Sequence, residues 1–379
     1  MTPISRAALL FLAMSTPGLA QNDWRGGVIH TIGVSAPSLR GNLLGDSDNR
    51  AVSVYLPPQY STDVGRRFPV IYLLHGFAAD HRAFIKGAYQ DLNVRVSMDS
   101  LIAARKVQPM IVVTPNARNR FDGSFYANSP ATGRWEDFVA KDLIRHIDRR
   151  YRTIAKPASR GIAGHSMGGY GALTVAMRNP GVFSAVYALS PCCLGRQYTD
   201  LTFPGRVETW KRAVAVTDTS QIRAAGFHAN LLMALTAVYS PAPKRPPLFI
   251  AYPFVPRDST LIADSASLAD WDPPLTQLAR YRQNLTQLKI GIDAGESDGL
   301  TDIPVNVRAL DEKLTQLGIG HFFEIYEGDH GNRVRERLER VALPFFSRYL
   351  ESDRRYPFRV ITPHSFLPRK NFQRPRSLQ

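Results

Sequence analysis

The run Gly164-His165-Ser166-Met167-Gly168-Gly169 follows a short apolar stretch and precedes one rich in Ala, Leu and Val. A serine hydroxyl is a poor nucleophile until a base takes its proton and the chain holds it in a fixed, exposed position. The spacing Gly-x-Ser-x-Gly between a strand and a helix meets the second need. Such a turn imposes strained dihedrals on Ser166, and the flanking glycines let neighbouring backbone pass close. The helix that starts behind Ser166 favours negative charge at its N-terminus. This arrangement suits attack on an acyl carbonyl.

Where a serine sits in such a turn, an acid follows it in the chain and a histidine comes last. His330 stands in Glu327-Gly-Asp-His330-Gly331, directly after the β-type run 322–326, where the base belongs. Asp293, Glu296 and Asp298 compete to orient it; all lie in or after the run Ile290-Gly-Ile-Asp-Ala294. Asp298 sits furthest beyond that run, in a Gly-flanked loop free to reach a histidine, and is the favoured partner. Asp293 is expected to remain in the strand or make a structural hydrogen bond. Upstream, Leu73-Leu-His75-Gly76-Phe77 ends another apolar run. Its loop is expected to offer the Phe77 amide to a developing oxyanion, alongside the Met167 amide. His75 precedes the serine, the wrong order for a base, and is read as a structural turn residue. His165 is read as the variable residue beside the nucleophile.

These groups need a scaffold that brings distant loops together. The run 52–56 alternates at period two, while 69–74 and 110–114 are continuous apolar stretches of the kind buried on both faces of a sheet. Further strand candidates are 160–163, 185–189, 288–292 and 322–326, and helical spacing covers about 134–151, 168–178, 304–317 and 332–350. Strands alternating with helices predict one α/β domain over 21–351, with a mostly parallel central sheet and helices on both faces. From about 195 to 283 the alternation stops and prolines cluster, which marks a lid-like insertion or substrate wall. No period of 20–50 residues repeats, which argues against solenoids and propellers.

Of 379 residues, 44% are apolar and 21% charged, enough for a large core, and two cysteines cannot staple a chain of this length. Residues 1–20 carry one Arg, an apolar run and small residues at a cleavage site, and so predict a signal peptide and export to the periplasm or outside the cell. Residues 352–379 form a basic tail with seven Arg or Lys against one Asp. The formal net charge of +15 therefore divides into +1 in the leader, +6 in the tail and +8 between them. It offers an anionic surface a contact through the tail, but no nucleic-acid recognition module accompanies it.

The chain resembles the esterase D family of α/β-hydrolases, which includes feruloyl and acetyl esterases, S-formylglutathione hydrolase and mycolyltransferases. The resemblance runs from about Val28 to Tyr349. It is carried by Arg50-Ala-Val-Ser-Val-Tyr-Leu-Pro-Pro58, Phe68-Pro-Val-Ile-Tyr-Leu-Leu-His-Gly76 and Tyr126-Ala-Asn-Ser129. Also matching are Arg160-Gly-Ile-Ala-Gly-His-Ser-Met-Gly-Gly-Tyr-Gly-Ala-Leu173, Ala188-Leu-Ser-Pro191 and Asp293-Ala-Gly-Glu-Ser-Asp298. It implies the α/β-hydrolase fold, Ser166 as nucleophile, Asp298 as acid, His330 as base and Phe77 as an oxyanion amide. The segment 195–283 is longer than in compact members, the basic tail has no counterpart there, and the leader argues against the cytosolic glutathione-linked branch.

The function expected is that of an exported serine esterase acting on a small-molecule, glycan-linked or lipid-linked ester, without a cofactor. Acyl transfer to a sugar or lipid hydroxyl is one alternative; a non-catalytic envelope-binding protein on the same scaffold is another. Adjacent Cys192 and Cys193 are read as two buried thiols, since the Cα spacing of neighbours would strain a disulfide. Asp46-Ser-Asp-Asn49 is read as a turn rather than a calcium loop, and no metal-ligand spacing or phosphate-binding glycine loop appears.

Overall fold

In a computed structural model, residues 26–353 are described, with the exception of Ser259. Eight strands form the main sheet: β1 Val28–Ser35, β2 Asn49–Leu56, β3 Val70–Leu74, β4 Ile111–Pro115, β5 Arg160–His165, β6 Ala185–Leu189, β7 Lys289–Gly295 and β8 His321–Tyr326. Their spatial order is β1-β2-β4-β3-β5-β6-β7-β8. The pairs β1/β2 and β2/β4 are antiparallel, and every other neighbouring pair is parallel. All five residues of β3, of β4 and of β6 are buried, as strands covered on both faces require. The expected α/β-hydrolase architecture is therefore present.

The period-two geometry of a strand divides its side chains between two cores. Val70, Tyr72 and Leu74 of β3 join one apolar cluster, and Ile71 and Leu73 join the other. The first cluster lies under a helical segment at 135–150 and under α-helices Met167–Arg178 and Asp302–Gln316. The second is closed by a helix at Val94–Ala103 and by the helical segment 334–349. Helices thus cover both faces.

The segment 195–283 lies between β6 and β7 and has its own regular structure. It holds α-helices Arg206–Val214 and Phe227–Tyr239, a 3-10 turn Thr219–Ala225 and an antiparallel pair, Phe254–Arg257 with Thr260–Ala263. Trp210 packs on Phe254 and Trp271, Tyr239 packs on Trp271, and the Tyr239 and Tyr170 hydroxyls lie 2.7 Å apart. The insertion is therefore built onto the main core through its own aromatic cluster. Cys192 and Cys193 are both buried free thiols with Sγ atoms 2.9 Å apart. The expected signal peptide lies outside the described residues, as does the basic tail beyond residue 353.

One polar group inside the sheet needs a partner to be tolerated. Asp293 of β7 is fully buried, and its Oδ2 accepts hydrogen bonds from the Tyr187 hydroxyl (2.8 Å) and from Arg337 Nε (2.9 Å). Arg337 also donates to Glu324 through Nη2 at 2.6 Å. Burial pushes the Asp293 carboxyl up, while the Arg337 guanidinium pulls against that shift. Removing one member of a buried ion pair leaves an uncompensated charge and costs about 3–5 kcal/mol. Arg337→Met is therefore expected to lower the free energy of unfolding in urea by that amount. Pairing it with Asp293→Asn should recover part of the loss; full stability in the single variant would contradict the assignment.

Candidate active site

The four loops expected to carry chemistry all leave the carboxyl ends of parallel strands that are neighbours or near neighbours in the sheet. Phe77 follows β3, Ser166 follows β5, Asp298 follows β7 and His330 follows β8. A parallel sheet points all these ends the same way, so residues more than 200 positions apart in sequence converge on one edge.

Ser166 sits between β5 and helix Met167–Arg178 with φ 58° and ψ −119°, a conformation that costs an L-residue on the order of 1–3 kcal/mol. Close packing holds it there. A Cβ on Gly168 would stand 2.0 Å from the Leu74 carbonyl oxygen, and one on Gly164 would stand 2.3 Å from the Gly168 carbonyl carbon. Only glycine fits at either position, so the turn is locked between β3 and β5. The Ser166 amide donates to the Leu189 carbonyl (3.0 Å), and its own carbonyl accepts from Tyr170 (3.0 Å) and Cys192 (3.3 Å).

His330 Nδ1 donates to Asp298 Oδ2 at 2.7 Å, which leaves Nε2 as the ring's lone-pair nitrogen. The Asp298 side chain is wholly buried, and its Oδ1 accepts from the Leu300 amide at 2.9 Å. The acid and histidine loops are stitched together by backbone bonds, Glu296 N–H to Tyr326 O (2.8 Å) and Ser297 N–H to Gly328 O (2.9 Å). Of the three competing carboxylates, the structure brings Asp298 to the histidine. Asp293 is held inside the sheet, and Glu296 points outward within 3.7 Å of Arg308. Residues 299–302, directly after Asp298, line a cavity of about 250 Å³ together with Tyr198, Arg206 and His228 of the insertion.

The Phe77 loop lies against the serine turn; a Cβ on Gly76 would stand 3.5 Å from Ser166 Cβ. The Phe77 amide has no acceptor among the described residues. The Met167 amide is the first of a helix and so has no partner within it. His75 is buried and structural. Its Nε2 accepts from the Ala117 amide (2.9 Å), its Nδ1 donates to the Gly76 carbonyl (2.8 Å), and burial pushes its pKa down to about 4. It thereby fastens the Phe77 loop to the loop after β4.

His165 has more to do than fill the variable position of the motif. Its Nε2 donates to the His330 carbonyl at 2.7 Å, its ring centroid lies 4.6 Å from that of His330, and Tyr89 packs edge-on behind it at 4.9 Å. Burial holds its pKa well below the ordinary histidine value, with the neighbouring His330 adding to the shift, so it stays neutral. The residue before the serine thus anchors the loop of the distant histidine. Only the pairing of loops across β5, β6, β7 and β8 reveals this, and no spacing in the sequence encodes it. Among the described residues no group of three or more His, Cys, Asp or Glu side chains could hold a metal ion.

Similar proteins agree with this fold. Residues 47–334 match a family described as putative esterase. Over 157 residues the chain is 32% identical to Esterase Rv1288 of Mycobacterium tuberculosis, covering 40% of this chain and 31% of that protein. Over 151 residues it is 30% identical to the S-formylglutathione hydrolase of Mus musculus, covering 37% of this chain and 51% of the mouse protein. The matches therefore span 31% and 51% of the length of these relatives. A ferulic acid esterase structure aligns with a TM-score of 0.55 at 22% identity, covering 86% of this chain and 99% of its own. MPT51 of Mycobacterium tuberculosis gives 0.55 at 15% identity, with the same coverage of 86% and 99%. At these identities the structural likeness speaks for the fold alone. The family match covers most of the chain, and the chain belongs to the putative esterase family, on an α/β-hydrolase fold.

Proposed function

We propose that the protein is a serine esterase in which Ser166, His330 and Asp298 hydrolyse a carboxylic ester through an acyl-enzyme. The observation that carries this reading is the 2.7 Å hydrogen bond from His330 to buried Asp298, in a loop anchored by the residue next to a serine held at φ 58°. His330 Nε2 takes the proton as Ser166 Oγ bonds to the ester carbonyl carbon. The Phe77 and Met167 amides receive the negative charge on the carbonyl oxygen, where one such donor is worth about 10²–10³ in turnover. Collapse of the tetrahedral species breaks the bond to the alcohol oxygen, which leaves with the proton from His330. Water then repeats the sequence on the acyl-enzyme, releasing the acid and freeing Ser166. Asp298 keeps the imidazole in the required tautomer and steadies the imidazolium. The leader-like residues 1–20 support export, with the reaction taking place in the periplasm or outside the cell.

Hydrolysis of p-nitrophenyl acetate by the purified protein tests the reading. Ser166→Ala is expected to abolish enzymatic turnover, and Asp298→Asn to lower kcat by about 10³–10⁴. Turnover that survives Ser166→Ala would sink the proposal.

His165 acts as a positioning residue. His165→Phe retains a ring but removes the donor to the His330 carbonyl, and misplacing a loop base by a fraction of an ångström is expected to lower kcat about tenfold or more. KM should stay within about twofold, because substrate contacts are untouched. His165→Gln restores an N–H donor and should recover activity relative to His165→Phe. Equal kcat in both variants and the parent would remove the role.

A further inference from the structure

A second cavity, of about 530 Å³, opens between the loop after β4 and the insertion's 3-10 turn Thr219–Ala225. Its wall carries three arginines, Arg118, Arg120 and Arg223, and two carboxylates, Asp46 and Asp122. The charges do not cancel. Arg118 is paired with Asp122 at 2.6 Å, and the other Asp122 oxygen accepts from Asn230 at 3.2 Å. That leaves the guanidinium groups of Arg120 and Arg223, both exposed and neither within ion-pair distance of an acid among the described residues, against Asp46 alone. Asp46 takes the Arg120 backbone N–H at 3.3 Å, and burial pushes its carboxyl up, a cost to its charge that Arg50 and Arg120 only partly offset.

A second observation comes from the same wall. Asn119 is 6% exposed; its Oδ1 is occupied by the Phe121 and Gly123 amides, while its Nδ2 has no partner. A buried unpaired donor is costly unless something supplies an acceptor. The unmet donor lies shielded from solvent behind a wall that presents two exposed, unpaired guanidinium groups.

The cavity is coupled to the candidate active site through the oxyanion loop. The Asp122 carbonyl accepts from the Ala78 amide at 2.9 Å, one residue beyond Phe77. Asn230, bound to Asp122, lies on the helix whose first residue, Phe227, packs edge-on against the Phe77 ring at 5.3 Å.

We propose that this cavity is a subsite for an oxyanionic group, carboxylate or phosphate, that the ester substrate carries away from its scissile bond. The inference rests on the serine-esterase reading and adds to it the chemical class of the substrate. Arg120 and Arg223 bind the oxyanion from opposite walls; arginine suits the task because its planar fork matches carboxylate and phosphate oxygens.

The test uses three esters of one acyl group whose alcohols end in a carboxylate, a phosphate or a neutral amide. The full chain is expected to favour the anionic esters in kcat/KM by about tenfold or more, the scale of a charge-assisted hydrogen bond. Arg223→Glu and Arg120→Glu should each collapse that ratio toward one or below, chiefly through KM. Both residues are exposed, so folding should survive, and the urea midpoint verifies it. A ratio near one in the parent, or a ratio unmoved by both reversals, overturns the subsite. If no ester is turned over, the esterase reading fails on its own, and calorimetry with the phosphate-bearing alcohol decides the subsite. Binding weakened by Arg223→Glu supports it, and absence of binding overturns it. Inorganic phosphate bound as tightly as that alcohol would point to a free-anion site and also overturn it.

Discussion

The candidate active site depends on how closely the backbone packs where β5 turns into the helix Met167–Arg178. Gly168 is pressed so near the Leu74 carbonyl that no Cβ could be placed between them, and Gly164 is pressed equally on Gly168. That approach fixes Ser166 in a conformation its own preferences oppose. It also ties the serine turn to the end of β3, from which the Phe77 loop departs. In the proposed mechanism, a nucleophile and an oxyanion loop placed by backbone jamming, rather than by flexible side chains, need little reorganisation when charge develops.

The histidine side is organised differently, through polar contacts graded by burial. Two aspartates five residues apart have opposite assignments. Asp293, inside the sheet, is consumed by Tyr187 and Arg337 and holds the strand layer together. Asp298, just past the strand end, is free to face His330. The three histidines near the site divide in the same way. His75 and His165 are buried and neutral; His75 spends both ring nitrogens, and His165 its Nε2, on backbone groups of loops that must stay in place. His330 alone of these is linked to a carboxylate.

Strands β3, β4 and β6 were legible in the sequence because burial on both faces leaves continuous apolar runs, β2 because it alternates at period two, and β8, with only two of six residues buried, by its β-type residues ahead of a turn. The helices at 167–178 and 302–316 matched the apolar spacing within two residues. Strand β1 was not read: only Val34 of its eight residues is buried, so an edge strand leaves no pattern. The helix Phe227–Tyr239 was missed for the opposite reason, since ten of its thirteen residues are buried and no polar face marks its period. The helix Val94–Ala103 carries a local signal of its own, an Asn93 N-cap followed by Val94, Met98 and Ile102 on one face. Ser166, Asp298 and His330 were readable because chain order and strand ends constrain them. The role of His165 was not, because it arises only when loops meet across the sheet.

The segment 195–283 contributes Arg206 and His228 to one cavity and Arg223 to the other. The central claim remains the activated serine, and covalent labelling tests it most directly. A fluorophosphonate probe, followed by peptide mass spectrometry, should modify Ser166 stoichiometrically and should react far more slowly after His330→Ala. A folded protein that takes no label, or takes it elsewhere than Ser166, would contradict the account.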